Sequence, residues 1–238
     1  MDGTLKSERV SRQNISYYDN IAEQYDDILN GDENNKTIRQ MVASRFTKIV
    51  HGNRIIDFGG GTGLDISWLG QREYQIIFCE PSKAMRQIAM DRQKKEFQEP
   101  NIIFLDDKEA DFRNWSDKFP LNEKADAILG NFAVVNCIAD LNFLFEKLAL
   151  ALKPGGVMLL LVLDYSLLSR LRSDLKGTIK SFFGGSTASF YIDFNGNRQI
   201  VYIHSIKSIR RASADKFRLF QTERLGKFGF SLMHLIRQ

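Results

Sequence analysis

Cysteine is scarce in this chain: its 238 residues include two, Cys79 and Cys137. Neither belongs to a CxxC pair or a Cys/His cluster, and both sit in or beside apolar runs. A disulfide framework and a structural zinc site are therefore not expected, and a reducing cytoplasm is the expected compartment. Long apolar runs are also missing. None approaches the ~20 residues that cross a bilayer. The opening stretch MDGTLKSERVSRQN carries both signs of charge and lacks the apolar segment of a secretory signal. Internal repeats and low-complexity tracts are absent. An excess of one charge is missing overall, at a net +4, but the distribution is uneven. Residues 165–238 hold 13 Lys+Arg against 4 Asp+Glu, while the rest holds 20 against 25. The basic final third suits either a well-solvated surface or an anionic partner.

What is present is organised in three parts: 1–50, 51–163 and 164–238. The first reads as helical. Ile15, Tyr18, Ile21, Ala22, Tyr25, Ile28 and Leu29 recur with helical spacing over 14–30, and Ile38, Met41, Val42, Phe46, Ile49 and Val50 over 37–50. The middle part alternates strand and helix. Strands are expected at 54–58, 75–79, 101–105, 125–129 and 157–163. Helices are expected at 64–71, from the Ser82 cap to about 97, and at 141–152, where Lys153-Pro-Gly-Gly stops the last. Such alternation predicts a doubly wound, mostly parallel α/β sheet with right-handed crossovers, whose ligands bind beyond the carboxyl ends of the strands. The last part changes character. A β-hairpin is expected around Asn195-Gly196-Asn197, further strands at 217–222 and 230–235, a helix at 165–176 and a glycine-rich loop near 183–185.

The densest signal is RIIDFGGGTGLD, residues 54–65. Glycines allow a sharp turn and a close approach of backbone to ligand. The helix that follows offers free N–H groups to an anion. A dinucleotide loop, G-x-G-x-x-G, would need glycine where Leu64 stands. Asp57-x-Gly59-x-Gly61-x-Gly63 instead resembles the first motif of the class I S-adenosylmethionine-dependent methyltransferases. The resemblance spans 53–163 and extends to Tyr18-Asp19-Asn20-Ile21-Ala22-Glu23-Gln24-Tyr25-Asp26. That stretch is similar to the Y-D-x-x-A-x-x-Y-D helix of small-molecule methyltransferases of the quinone-biosynthesis type.

The resemblance implies a Rossmann-like, seven-stranded sheet with an N-terminal helical cap and a C-terminal hairpin/helix elaboration, forming one methyltransferase domain. It implies S-adenosyl-L-methionine as cofactor and S-adenosyl-L-homocysteine as product. Gly59, Gly60, Gly61 and Gly63 would pass under the amino-acid part of the donor, with Asp57 balancing its ammonium group. Glu80 would accept the ribose hydroxyls, a geometry shared with NAD enzymes, so Glu80 alone says ribose and not methyl donor. Pro81 turns the chain there, and Met85 would lie along the adenine. Asp107, by register preferred to Asp106, would accept the adenine amino group, and the Lys108 N–H would serve a ring nitrogen. Asn131 and Phe132 would wall the transfer site, and Tyr18, Tyr25 and Phe132 would hold the cationic donor. The [N/D]-P-P-[Y/F] turn of nucleic-acid amino methyltransferases is missing at Asn131.

The expected partner is a small-molecule acceptor, aromatic from the run Phe182, Phe183, Phe190, Tyr191 and Phe194, or acidic from the basic tail and then presented by a carrier protein. Nucleic acid is not expected. Base candidates for an acceptor that must lose a proton are Asp164, Tyr165 and His204, with His51 and His234 farther from the site. The competing readings are an RNA or protein methyltransferase that uses the basic tail, and a non-catalytic S-adenosylmethionine-binding partner.

Overall fold

The structure is a computed structural model. It describes residues 2–30, 32–97, 101–163, 182–184, 187–194, 196–225 and 228–238. Helix α1 (Asp2–Asn30) and helix α2 (Glu33–Ile49) come first. Asp32 caps α2, accepting the Asn34 N–H at 2.8 Å. There follow β1 (Arg54–Phe58), α3 (Ile66–Leu69), β2 (Gln75–Cys79), α4 (Lys83–Glu96), β3 (Ile102–Phe104) and β4 (Ala125–Gly130). The chain continues with α5 (Leu141–Ala151), β5 (Leu152–Leu163), β6 (Phe182–Gly184), β7 (Thr187–Phe194), β8 (Asn197–Ile203), α6 (Ile206–Ser213), β9 (Phe217–Leu225) and β10 (Phe230–Arg237).

Seven strands form one sheet in the order β3-β2-β1-β4-β5-β10-β9. The first five are parallel, and β10 runs antiparallel between β5 and β9. This is the doubly wound, Rossmann-like sheet the sequence predicts. All five residues of β1 are buried, as a central strand covered on both faces requires. One face packs on α5 and α6 through Leu144, Phe145, Leu148 and Ile209. The other packs on α2 through Ile38, Val42 and Phe46. Each fully buried side chain of this size contributes about 1.5–3 kcal/mol. The strand order reverses between β1 and β4, which opens a crevice at their carboxyl ends.

Four elements differ from the sequence expectation. Helix α1 starts at Asp2 instead of 14, because its first turns continue the helix without an apolar stripe. Helix α3 is one turn long. Its expected first residues are used by the glycine turn, and Gly70 closes it with an N–H to the Ile66 carbonyl at 2.7 Å. Strand β5 begins at Leu152, which pairs with Ala125 across a register shift. Helix α6 was not anticipated. Ser205 caps it by accepting the Ser208 N–H at 3.0 Å, and Ile209 is its buried anchor.

A second, antiparallel sheet β6-β7-β8 holds the expected hairpin, with Phe194 opposite Asn197 and Gly196 at φ +77°. Strand β6 adds an edge to it. Phe183 and Gly184, expected in a glycine-rich loop, belong to β6, where they pair with β7; the helix expected at 165–176 and the base candidates Asp164 and Tyr165 lie outside the described residues. Among the described residues no helix is long and apolar enough to cross a membrane, and no group of three His, Cys, Asp or Glu side chains could hold a metal.

Candidate active site

At the switch point lies a cleft with about 990 Å³ of empty space, its open mouth included. Its floor is the turn after β1. Gly61 has φ +59°, a left-handed conformation that favours glycine, and a Cβ there would meet only the Tyr25 ring at 3.7 Å. Gly63, at φ +79°, faces away from the cleft, and a Cβ there would come within 2.9 Å of the Ala89 Cβ on α4. One glycine therefore opens the cleft, and the other lets α4 pack against the turn. Gly59 and Gly60 complete the floor.

Glu80 follows β2 and is 7% exposed. Its two carboxylate oxygens accept the N–H of Gly61 at 3.0 Å and that of Ser82 at 2.8 Å. Burial pushes its pKa up to about 7, against the pull of those two bonds and of Arg86. Asp57 ends β1 beneath the glycine turn, and its Oδ2 has no hydrogen-bond partner. Its pKa is raised well above the usual carboxylate range, first by burial and next by the charge of Asp65, with Arg39 opposing. A buried, unpartnered carboxylate oxygen under a bare peptide turn suits a ligand cation.

A polar knot closes this end of the cleft. Arg39 of α2 pairs with Asp65 at 2.6 Å. Asp65 also accepts from the Trp68 indole at 2.7 Å and from Asn131 at 2.9 Å. The Arg39 guanidinium lies 4.5 Å from the Phe132 ring centroid. Phe132 and Ala133 both have left-handed backbones, at φ +43° and +64°. Each such residue stores about 1–3 kcal/mol of strain. The Ala133 N–H to the Leu161 carbonyl, at 3.0 Å, and the Phe132 N–H to the Asn131 side chain, at 2.9 Å, hold the turn in place.

Helix α1 lies over the cleft, held by polar contacts along its length. Asp26 accepts from Thr62 of the glycine turn and from Arg92. Asp19 accepts the Ser82 hydroxyl at 2.7 Å. Asn14 exchanges two bonds with Ile200 of β8, at 2.9 and 2.8 Å, and also donates to the Cys137 carbonyl at 3.1 Å. Tyr18 and Tyr25 project from α1 into the cleft, with ring centroids 5.9 Å apart. Gln199 of β8 donates to the Tyr18 hydroxyl at 2.6 Å and to the Cys137 sulfur at 3.2 Å.

Tyr18, Tyr25, Gly59, Gly60, Gly61, Glu80, Pro81, Met85, Asn131 and Phe132, all picked out in the sequence, thus share one cleft. Asp57 and Gly63 sit behind its floor. Asp107 is turned outward and pairs with Arg86, and the Lys108 N–H is taken by Asp106 at 2.8 Å. Ala110, Asp111 and Phe112 form that part of the wall instead. His204 is buried and stacks on Tyr202; its Nε2 lies 2.8 Å from the Ile138 carbonyl, and the ring is not part of the wall. Burial lowers its pKa, and the Ile138 bond opposes that. Sequence reasoning assigns no role to Asn14, Arg39, Asp65, Asp111 or Cys137. Asp65 could have been suspected from its place two residues after Gly63. Arg39, alone on a helix far from the motif, carries no local signal.

This fold and this cleft are those of a Rossmann-like methyltransferase. A family described as "Methyltransferase domain" matches residues 31–216, and the chain belongs to it. An uncharacterized methyltransferase of Bacillus pumilus is 30% identical over 86 residues, which span 35% of this chain and 40% of that protein. Among solved structures, an S-adenosylmethionine-dependent methyltransferase from Clostridium acetobutylicum aligns with a TM-score of 0.63 at 16% identity, over 92% of this chain and 98% of that one. The 1,6-didemethyltoxoflavin-N1-methyltransferase of Burkholderia thailandensis, bound to its acceptor and S-adenosylhomocysteine, aligns with a TM-score of 0.66 at 10% identity, over 98% and 90%.

Proposed function

We propose that this chain transfers the methyl group of S-adenosyl-L-methionine to a small-molecule acceptor and releases S-adenosyl-L-homocysteine. The observation that carries this reading is the pairing of Glu80 with the glycine turn on one cleft, with the unpartnered Asp57 oxygen beneath that turn. Glu80 would take the ribose hydroxyls. Gly59 to Gly61 would pass under the amino-acid part, with Asp57 toward its ammonium and Arg39 toward its carboxylate. Met85, Pro81, Asp111 and Phe112 would enclose the adenine. Bound there, the donor supplies an electrophilic methyl group for in-line displacement. The chain's own task is to align the two partners and exclude water, which is worth roughly 7–11 kcal/mol. No covalent enzyme intermediate is needed.

A small acceptor suits the way α1 roofs the cleft, with Asn14 tying that helix to β8. The structural relative from B. thailandensis, named for a small heterocyclic acceptor, supports the same class. An acidic acceptor fits less well, because Arg39, the cation on the described wall, is paired with Asp65 and would be taken up by the donor's own carboxylate. Calorimetric titration with S-adenosyl-L-homocysteine tests the reading. Saturable heat at one site per chain is expected; absence of heat would sink it.

A further inference from the structure

Beyond Val134, which packs on Gly59 of the glycine turn, the cleft is walled by Asn14, Ile15 and Tyr18 of α1 and by Cys137 and Ile138 after β4. This half is apolar apart from groups that are uncharged. Burial raises the Tyr18 phenol well above its ordinary value, and it also raises the Tyr25 phenol and the Cys137 thiol. The charged groups of the wall are engaged elsewhere. Arg39 pairs with Asp65, Asp111 is held by the Arg113 guanidinium at 2.8 Å, and the Glu80 oxygens take two backbone N–H groups. Among the described wall residues none is left as an ionised base for an acceptor's proton, and none as a free cation for an anionic acceptor.

Such an environment acts differently on different nucleophiles. Loss of water disfavours whichever form is charged. A phenol or a carboxylic acid reacts as its anion, so burial here moves it away from its reactive form, as it does the wall's own phenols. An alkylammonium reacts as the free amine, so the same burial moves it toward its reactive form.

We propose, building on the methyltransferase reading above, that the acceptor is a small-molecule amine bound as its uncharged free base against Tyr18, Cys137 and Ile138. On binding, its ammonium proton passes to solvent. The nitrogen lone pair then forms the N–C bond as the C–S bond breaks and its electron pair stays on sulfur. Positive charge moves from sulfur to nitrogen, and the extra N–H proton is shed after release. Gln199, filling the acceptor side of the Tyr18 oxygen, leaves the phenol hydrogen to point at the sulfur of Cys137, a weak acceptor, or at a polar atom of the substrate.

The test uses the whole protein and calorimetry. S-adenosyl-L-homocysteine is titrated first; no heat at that step defeats the methyltransferase reading and the amine inference with it. Benzylamine, phenol and benzoate are then titrated into the protein loaded with S-adenosyl-L-homocysteine near neutral pH, in two buffers of different ionisation enthalpy. The expected result is that benzylamine binds with release of about one proton per molecule, that phenol binds without proton release, in its neutral and unreactive form, and that benzoate binds at least roughly tenfold more weakly than phenol. S-adenosyl-L-homocysteine binding followed by proton release on binding phenol, or by binding of benzoate as tight as that of phenol, would overturn the amine inference alone. So would benzylamine binding without proton release, or no binding by any of the three.

Discussion

The two halves of the cleft are built by different means. The half proposed for the donor is backbone and charge: the glycine turn, the Glu80 carboxylate bridging Gly61 and Ser82, and the Arg39–Asp65–Asn131 knot. It is assembled at the ends of β1, β2 and β4, where the sheet fixes every position. The half proposed for the acceptor is side chains on α1 and the turn after β4, tied to β8 behind them by Asn14 and Gln199. A fixed ligand can be gripped by strand ends, whereas a variable one is better met by replaceable side chains on a roof. Changes in the first half should therefore act on donor affinity, and changes in the second on the acceptor.

The largest effect expected is that of Glu80→Ala. It removes the acceptor for two backbone N–H groups and for the ribose hydroxyls. Hydrogen bonds to a charged group are worth about 1.5–3 kcal/mol, so S-adenosyl-L-homocysteine should bind roughly a hundredfold more weakly by calorimetry. Asn14→Ala comes next. It leaves the buried N–H and C=O of Ile200 without their partner and should cost about 1–3 kcal/mol in urea unfolding. Amide exchange over 197–203 should quicken, while donor affinity changes little. An equal loss of donor affinity would erase the division into halves.

The third effect is on pH dependence. Glu80, held up to about 7 by burial, must be ionised to accept the ribose hydroxyls well. Rising pH removes its proton, so donor affinity should climb roughly tenfold between about pH 6 and pH 8. Glu80→Gln should show a flat profile over that range. The smallest effect on the donor belongs to Gln199→Leu. Donor affinity should stay within about twofold, while turnover of a true acceptor falls severalfold through loss of a hydrogen bond worth about 1 kcal/mol. If turnover held and donor affinity fell, Gln199 would belong to the other half.

The same division governs what could be read from the sequence. β1 and β2 lie where the apolar runs put them, because a strand buried on both faces is spelled out residue by residue. The Ser82 cap set the start of α4, and Asn195-Gly196 marked the hairpin. Donor-half residues cluster near these strand ends, so order and spacing located Glu80 and the glycines. The loop after β3 was harder. Asp106 folds back on the N–H groups of Lys108 and Glu109, which turns Asp107 outward to Arg86 and leaves Asp111 on the wall. A register count along an extended loop has no means of seeing that reversal. Arg39, Cys137 and Gln199 were not legible, because they meet the site only through packing of segments distant in the chain.

A crystal structure with S-adenosyl-L-homocysteine bound tests the central claim most directly. The ribose hydroxyls should lie within hydrogen-bonding distance of the Glu80 carboxylate, and the homocysteine end should cross Gly59 to Gly61 toward Arg39. A ligand found outside this cleft, or lying in it with its ribose away from Glu80, would contradict the account.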